Sequence, residues 1–458
     1  LEVFGGEEAI ALIDRRPSMA ASPLPRFDLL HLGAYGSMAV QFSRGCPYSC
    51  EFCNEPALFG HRPRLKEAEQ IVAELEALYD LGFRGSLFFV DDNFIGNIRR
   101  LGPVLKKLKT FQVERGYPFS FYTEASVNLA RDPDLMAAMR DAGFTMVFVG
   151  IETPDQDALQ ATGKYQNVHG NLLDDVRAIQ ANGMEVTAGF IVGLDEEAED
   201  VCSHIRNFCQ EAGIPTVMAG LLTPIRGSKL YERLKRENRL LASETDGNNT
   251  HSFALSYILD RGRSATRLIS DYKQLLQDLY DPEGWNYFQR CRRLLERIGP
   301  SPTFTRRIRM TELRALVTSL ARQSFASYGK AYRQFLADTF REHRSLLPEA
   351  MRLAITGHHL VTITRHSLEA DELKQTLAQH LESLRQVLAE WKDARNATRE
   401  RLVACVHEKA LELEELGRTI RKAPGEYRDE LQAAYDELCH RVQQTYESLT
   451  GERLQLSV

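Results

Sequence analysis

The sequence lacks several features that would place it in a common class of protein. Its 57 Lys and Arg residues are fewer than its 63 Asp and Glu residues, for a formal net charge of −6. No basic surplus therefore indicates a nucleic-acid binder. No uncharged apolar run reaches the roughly 18–20 residues that a membrane span requires, and no signal-peptide pattern is present. We expect a cytoplasmic protein with no nucleic-acid partner and no membrane span.

Cysteine is also scarce, with eight residues in a chain of 458. A secreted disulfide framework would place more cysteines in a smaller chain. Cys46, Cys50 and Cys53 stand within eight residues of one another, whereas the other five are scattered through helix-like sequence. Those five are interpreted as small buried apolar residues. The pattern therefore predicts reduced thiols and one metal site.

The length predicts more than one domain. From about residue 38 to 222, six short β-rich runs alternate with amphipathic helical stretches, which is typical of a parallel sheet with right-handed crossovers. Beyond about residue 238 the β pattern ends, and from Leu373 apolar residues follow heptad-like spacing. The predicted strands are Met38–Phe42, Ser86–Asp91, Phe119–Glu124, Thr145–Ile151, Glu185–Val192 and Thr216–Leu222.

We predict an α/β fold in which a partial (β/α)6 barrel is followed by an all-α C-terminal domain with a long helical hairpin. Residues 1–22 are expected to be an N-terminal remnant or linker, and residues 23–237 the barrel. Residues 238–365 are expected to form a helical region that covers the substrate, and residues 366–458 the hairpin.

The cysteines form a CxxxCxxC motif directly after the first predicted strand. Iron–sulfur cubanes usually take four cysteines; three would leave one iron open, as catalytic metals keep a vacant position. Zinc and a purely structural thiol cluster are the competing interpretations. Zinc usually needs a second ligand pair, and no convincing pair occurs. We interpret Cys46, Cys50 and Cys53 as ligands of a [4Fe–4S] cluster.

Polar residues and glycines follow the later predicted strands, where parallel α/β folds carry their sites. Asp91 and Asp92 suit an ammonium ligand, although either could instead cap the next helix. Strand-end glutamates suit hydroxyl or amino groups, or are simply solvated. Glycine within a strand often marks close ligand approach. The candidates after the second strand are Glu124, Ser126, Glu152, Gly189, Ile191 and Gly193.

The cysteine motif, with Phe52 before its last cysteine, resembles the signature of the radical S-adenosylmethionine (SAM) superfamily. The resemblance implies that SAM chelates the open iron and that Phe52 packs near its adenine. Asp91 and Asp92 match the position of the family's amino-group motif, usually Gly-Gly-Glu, and Gly189–Gly193 resembles its GxIxG motif, with Ile191 against the adenine. It further implies that reduction cleaves SAM to a 5′-deoxyadenosyl radical, which removes hydrogen from an unactivated carbon.

Longer phrases resemble one subgroup, the cobalamin-binding (class B) enzymes that include hopanoid methylase and archaeal tetraether ring synthases. The resemblance spans about residues 23–300 and continues weakly to about 365. It implies methyl transfer from cobalamin to a small-molecule or lipid-like substrate, with an electron donor such as flavodoxin or ferredoxin. No DxHxxG cobalamin signature occurs, and Gly5–Glu8 resembles the linker that follows a cobalamin domain. The phrases are residues 25–30, 41–45, 90–97, 123–126 and 148–154.

The first functional hypothesis is a radical SAM C-methyltransferase, linked to cobalamin, that acts on a hydrophobic or natural-product substrate. Cobalamin-independent radical C–C bond formation or rearrangement is the enzymatic alternative. A non-enzymatic helical scaffold with a structural Fe–S cluster is the third hypothesis. No residue is assigned as a catalytic hydrogen donor.

Overall fold

A computed structural model describes residues 16–241, 252–298, 310–393, 408, 412–423 and 425–450. The chain divides into two compact units, residues 1–358 and 359–458. The expectations for Gly5–Glu8, for Cys405 and for residues 1–15 of the N-terminal segment lie outside the described residues.

The first unit is built on a six-stranded parallel sheet whose strands lie in the order in which they occur in the chain. The predicted α/β half-barrel is thereby confirmed, and two predicted strands have the predicted bounds. A separate antiparallel ribbon joins β2, Ser43–Arg44, to β3, Arg64–Leu65. The strands of the main sheet are β1 Ser37–Val40, β4 Gly85–Phe89, β5 Phe119–Glu124, β6 Phe144–Glu152, β7 Glu185–Val192 and β8 Val217–Leu221.

Helices alternate with the strands and then form the rest of the unit. No described helix is both long and apolar enough to cross a membrane. Those of the α/β part are α1 Glu55–Phe59, α2 Ala68–Asp80, α3 Ile98–Glu114, α4 Pro133–Ala142, α5 Gln156–Ala161, α6 Tyr165–Val168, α7 Leu172–Ala181, α8 Val201–Ala212 and α9 Lys229–Arg236. Those that follow are α10 Ala265–Leu279, α11 Trp285–Ile298, α12 Met310–Gln323, α13 Gly329–Glu342 and α14 Leu347–Asp393, of which residues 359–393 belong to the second unit.

Helix α2 shows why the amphipathic pattern predicted these elements well. Glu67 and Gln70 form a reciprocal capping box at its start, which satisfies two backbone amides that have no partner within the helix. Ile71, Leu75 and Leu78 are fully buried at helical spacing. The helix therefore begins at its cap and buries one apolar stripe.

Strand β5 shows which face of the sheet the helices cover. The ring of Phe119 stacks on Phe111 of α3, with centroids 5.9 Å apart. On the opposite face, Tyr122 and Glu124 are only half buried, and Tyr122 stacks on Phe88 at 4.8 Å. Because side chains alternate along a strand, Glu124 projects from the face that the helices leave open.

The helices after α9 contact the starts of β7 and β8. The buried guanidinium of Arg290 donates to the carbonyl oxygens of Ile214, at 2.7 Å, and Leu279, at 2.6 Å. Glu185, the first residue of β7, pairs with Arg352 of α14. These contacts anchor the helical region at the amino ends of the strands. Its expected role as a cover over the substrate remains a prediction.

The second unit has a hydrophobic core of its own. Residues 412–420 are helical, the chain turns at 421–423, and a further helix, α15, spans Gly425–Thr450. The turn lies at the break that the sequence predicts between two helices. The buried core comprises Ala370, Leu377, Leu413, Leu416, Ile420, Ala423, Leu431, Tyr435, Leu438, Cys439 and Val442.

Candidate active site

The loop that carries the three cysteines is fixed at its base by the β2–β3 ribbon, which pairs Arg44 with Arg64. Gly45 follows with φ of 105°, and a Cβ at this position would lie 2.7 Å from the carbonyl oxygen of Gly60. The amide of Cys46 donates to that same oxygen at 3.2 Å. Only glycine fits this close approach, so the start of the loop has one defined path.

Glu51, between the second and third cysteines, fixes the middle of the loop. Its amide donates to the carbonyl of Thr162 at 2.8 Å, and its carbonyl accepts from the amide of Leu230 at 2.9 Å. Its carboxylate accepts two bonds from Arg233 of α9, at 2.6 and 3.1 Å. Arg233 also donates to Asp195, beyond the end of β7, at 2.7 Å. A bidentate guanidinium therefore connects the cysteine loop to β7.

The three thiols have the chemistry that an Fe–S cluster requires. Cys50 is buried, and Cys46 and Cys53 are half buried. Burial raises the pKa of Cys46, and it raises that of Cys53 to about 12, so iron must displace thiol protons as it binds. In the part of the chain that the structure describes, no three His, Cys, Asp or Glu side chains form a site for a single metal ion. In a cubane each cysteine binds a different iron, so the three sulfurs need not converge on one point as the ligands of a single ion do.

Asp91 and Asp92 connect the end of β4 to the cysteine loop. Asp91 accepts from the amides of Phe42, at 3.1 Å, and Ser43, and Asp92 accepts from the amide of Gly45 at 2.5 Å. Burial raises the pKa of Asp91 to about 7 despite these donors. Because α3 begins only after Asn97, neither aspartate caps it. Both carboxylates stand beside the start of the cysteine motif.

Two further carboxylates make this edge of the sheet acidic. Burial raises the pKa of Glu124 to about 7, and the nearby charges of Asp92 and Glu55 add to that rise. Burial and Asp92 likewise raise the pKa of Glu55, whose buried Oε2 has no hydrogen-bond partner among the described residues. Carboxylates that repel one another in a half-buried site favour a cationic ligand.

Ser126 is held by Asn93. The Asn93 amide donates to the Ser126 hydroxyl at 3.1 Å, and the Ser126 amide donates back to Asn93 at 3.3 Å. Asn93 also hydrogen-bonds the thiol of Cys46, which opposes the rise in that thiol's pKa. Asn93 lies in the motif of residues 90–97, and no role was predicted for it. It lies between the first cysteine and the end of β5.

Glu152, the last residue of β6, is buried and not solvated. It has φ of 67°, and the pairing of β6 with β7 shifts register between Gly150 and Glu152. Its carboxylate accepts from the ammonium of Lys164 at 2.6 Å. Lys164 Nζ lies 5.8 Å from the centroid of the Phe52 ring, so this ion pair adjoins the cysteine motif.

Lys164 and its neighbour Gln166 are site residues that sequence analysis missed. The Gln166 amide donates to Cys50 Sγ at 3.6 Å. Asn167, in the same short segment, donates to the carbonyls of Gly150 and Ile151, both at 3.0 Å. Lys164 precedes the short helix α6, and Gln166 and Asn167 lie within it. This stretch is too short to show helical periodicity and has no metal-ligand pattern, so nothing in the sequence marks it.

Side chains of the protein pack closely against two glycines, one within β7 and one just after it. A Cβ on Gly189 would lie 2.8 Å from the Phe148 ring. Gly193 has φ of 104°, and a Cβ there would lie 2.7 Å from the Tyr257 hydroxyl, which donates to the Gly193 carbonyl. Ile191, between them, is half buried. Adenine contact at these residues therefore remains a prediction beside a demonstrated packing role.

The carboxyl ends of the strands thus bring most of the candidate residues together. The cysteines, Phe52, Asp91 and Asp92 share one hydrogen-bonded loop system, Ser126 joins it through Asn93, and Glu152 adjoins it through Lys164. Such an arrangement can hold an Fe–S cluster beside a cationic organic ligand.

Comparisons with known proteins agree with this site. The radical SAM superfamily matches residues 40–209, and a domain of unknown function, DUF4070, matches residues 228–372. An uncharacterised methyltransferase from Synechocystis sp. is 43% identical over 321 residues, which is 69% of this chain and 59% of that protein. The hopanoid C-2 methylase of Rhodopseudomonas palustris is 36% identical over 276 residues, 60% of this chain and 51% of that protein. The chain therefore spans a little over half the length of these relatives.

Among solved structures, TsrM from Kitasatospora setae, a radical SAM methyltransferase with cobalamin and a [4Fe–4S] cluster bound, is similar with a TM-score of 0.46 and 14% identity. The match covers 76% of this chain and 65% of TsrM. The superfamily match includes all three cysteines and strands β4 to β7, and a radical SAM domain implies a [4Fe–4S] cluster and SAM as cofactors. Through residues 40–209, the chain belongs to the radical SAM superfamily.

Proposed function

We propose that this chain is the radical SAM part of a C-methyltransferase. In this proposal it cleaves SAM reductively and abstracts hydrogen from an unactivated carbon of a hydrophobic or natural-product substrate. The observation that carries the proposal is the cysteine loop, fixed at the carboxyl ends of parallel strands beside the carboxylates of Asp92 and Glu124. SAM carries positive charge on its sulfonium and ammonium groups, so an acidic edge next to an open iron suits it.

Each residue has a defined task in this proposal. Cys46, Cys50 and Cys53 hold the cluster. Asp92 and Glu124 attract and orient the cationic ligand, and Phe52 excludes water from one side of it. When bound, the cluster and SAM supply the electron transfer and the radical that removes hydrogen. The protein supplies positions and charges that are set before the ligand binds.

Methyl transfer is supported by the relatives, which are named as methyltransferases or methylases. Use of cobalamin is supported by the subgroup phrases in the sequence.

A cavity of about 300 Å³ adjoins the cysteine loop at Pro47 and Tyr48. It is bounded by apolar Ile95 and Ile98, by polar Asn97 and Asn128 and by Arg99, which suits a substrate that carries both apolar and polar groups.

Anaerobic reconstitution of the full chain tests the first step. We expect about four irons per chain and, with dithionite and SAM, release of 5′-deoxyadenosine. Cys46→Ala should abolish SAM cleavage, whereas Cys202→Ala, which removes a cysteine outside the loop, should retain it. Cleavage that persists in Cys46→Ala would contradict the cluster assignment. Iron binding without SAM cleavage would instead support a structural cluster.

Methyl transfer is tested with SAM labelled on its methyl group, a lipid extract as substrate, and added cobalamin. Labelled methyl in the lipid fraction only when cobalamin is present would support the full proposal. SAM cleavage with an altered but unmethylated lipid would contradict methyl transfer and favour radical C–C bond formation or rearrangement.

A further inference from the structure

A short segment after α5 places a cation and an amide donor beside the cysteine loop. Lys164 and Gln166 are both buried, with 9% and 7% of their surfaces exposed. Asn167 anchors the segment to the carbonyls of Gly150 and Ile151. Burial of a Lys and a Gln is unusual unless each has a partner. The partner of Lys164 is Glu152, and that of Gln166 is the sulfur of Cys50.

The ammonium of Lys164 is fixed in position. It pairs with Glu152 at 2.6 Å, and both side chains are close to nine-tenths buried. A Cβ on Gly150 would lie 3.0 Å from the ammonium and closer still to the Glu152 carboxylate, so glycine leaves room for the pair. The ion pair with Glu152 favours the charged form of Lys164, and the ammonium lies 5.8 Å from the centroid of the Phe52 ring in the cysteine motif. Lys164 therefore places a positive charge close to the cysteines.

Gln166 acts on one sulfur directly. Its Nε2 donates to Cys50 Sγ at 3.6 Å, while its buried Oε1 has no hydrogen-bond partner among the described residues. The side-chain amide of Gln166 thus has a partner for its N–H group, the sulfur of Cys50, but none for its oxygen among the described residues. Packing alone is a poor explanation for this arrangement.

We propose that Lys164 and Gln166 raise the reduction potential of the cluster held by Cys46, Cys50 and Cys53. Reduction transfers one electron from a low-potential donor to the cluster, with no bond formed or broken, and leaves one more negative charge. A nearby cation and an N–H donor on a ligand sulfur stabilise that more negative state. The inference rests on the proposed function only in that the three cysteines hold the cluster.

Glu152 opposes this effect, because its carboxylate is close to the same site. Lys164→Met should therefore shift the midpoint potential to a more negative value, and Glu152→Gln should shift it to a more positive one. The double variant Lys164→Met/Glu152→Gln should lie between the single variants, because it removes both members of the pair. Gln166→Leu removes only the N–H donor and should give a smaller negative shift than Lys164→Met.

The experiment is a redox titration of the reconstituted full chain, followed by electron paramagnetic resonance of the reduced cluster. SAM is omitted, so that altered SAM binding cannot contribute to the shifts. Tyr165→Phe is the matched control, since Tyr165 lies in the same segment but is 62% exposed. We expect it to titrate as the unmodified chain does.

Midpoint potentials of Lys164→Met and Gln166→Leu equal to that of Tyr165→Phe would overturn the proposal and leave both residues a packing role. If Lys164→Met fails to hold iron, Lys164→Arg and Gln166→Leu decide the matter. Retention of the potential in Lys164→Arg, with a negative shift in Gln166→Leu, would support the proposal, and an unshifted Gln166→Leu would overturn it. Failure of the proposed function would appear separately, as absence of 5′-deoxyadenosine from the unmodified chain.

Discussion

At the scale of single residues, Gly193 at the end of β7 is held by two side chains. Its amide donates to the Glu197 carboxylate at 2.7 Å, and its carbonyl accepts from the Tyr257 hydroxyl. Glu197 is fully buried, and burial raises its pKa to about 8 although the Gly193 amide and Arg263 oppose the rise. The folded chain therefore keeps a proton on Glu197 at pH values where the unfolded chain has lost it.

This difference predicts how stability depends on pH. A carboxyl whose folded pKa is raised costs nothing below its ordinary pKa of 4.5, and its cost grows as pH rises toward about 8. Glu197→Gln keeps an acceptor for Gly193 but cannot ionise. The unmodified chain should lose unfolding free energy as the pH rises from 5 to 8. We expect this loss to be smaller in Glu197→Gln by at least ~1 kcal/mol, since one unit of pKa difference is worth ~1.4 kcal/mol.

Urea unfolding at several pH values measures this effect. Glu196→Gln, which removes an exposed carboxylate from the same loop, is the matched control and should leave the pH dependence as it is. Equal pH dependence in the two variants would show that Glu197 is ionised in the folded chain.

At the scale of elements, helix α9 shows that a helical sequence pattern does not reveal which distant loops the helix contacts. No role in the site was predicted for its residues from the sequence. In the structure Arg233 reaches Glu51 in the cysteine loop and Asp195 beyond β7. The sequence predicts that a helix forms here. It does not predict which loops meet at that helix, because that depends on contacts between residues far apart in the chain.

Arg233→Met should loosen the cysteine loop, because Glu51 would lose both of its side-chain hydrogen bonds while Asp195 keeps its pair with Arg239. We expect a loss of about 1.5–3 kcal/mol of stability, which is the usual contribution of hydrogen bonds to charged groups. We also expect faster loss of iron from the reconstituted chain under a chelator. Arg233→Lys should be intermediate, because lysine keeps the charge but not the planar fork.

Arg236→Met is the control, since Arg236 lies on the same helix and is exposed. Iron loss at the same rate in Arg233→Met and Arg236→Met would show that the ion pair does not hold the loop.

At the scale of the whole molecule, the division into two units with separate cores predicts separable stabilities. Leu431 is fully buried in the core of the second unit. Leu431→Ala should destabilise that unit by about 2–5 kcal/mol, the usual cost of such a truncation in a core. Hydrogen exchange would show the loss of protection in residues 412–450.

The iron content of the reconstituted chain should stay unchanged in Leu431→Ala. Asp429→Ala, an exposed position on the same helix, should affect neither measurement. Loss of protection that extends equally into β5 and β6 would mean that the two units unfold together.

Much of this architecture could be predicted from the sequence, and the exceptions have physical reasons. The strands β5 and β7 have the predicted bounds because apolar residues mark them clearly. The first strand ends at Val40 and not at Phe42, because the chain leaves the sheet and pairs Ser43 with Leu65 in a ribbon. The cysteines were evident from their spacing, whereas Lys164 and Gln166 reach the site only through folding.

The order of the strands in the sheet has a consequence for synthesis on the ribosome. Each strand of the main sheet pairs with the one made just before it, so the sheet can grow as the chain emerges, without waiting for distant partners. The contacts of the cysteine loop form in a different order. It appears after the first strand, yet the backbone partners of Glu51 are Thr162 and Leu230. A nascent chain therefore exposes its thiols early and completes their loop only after the last strand has been made.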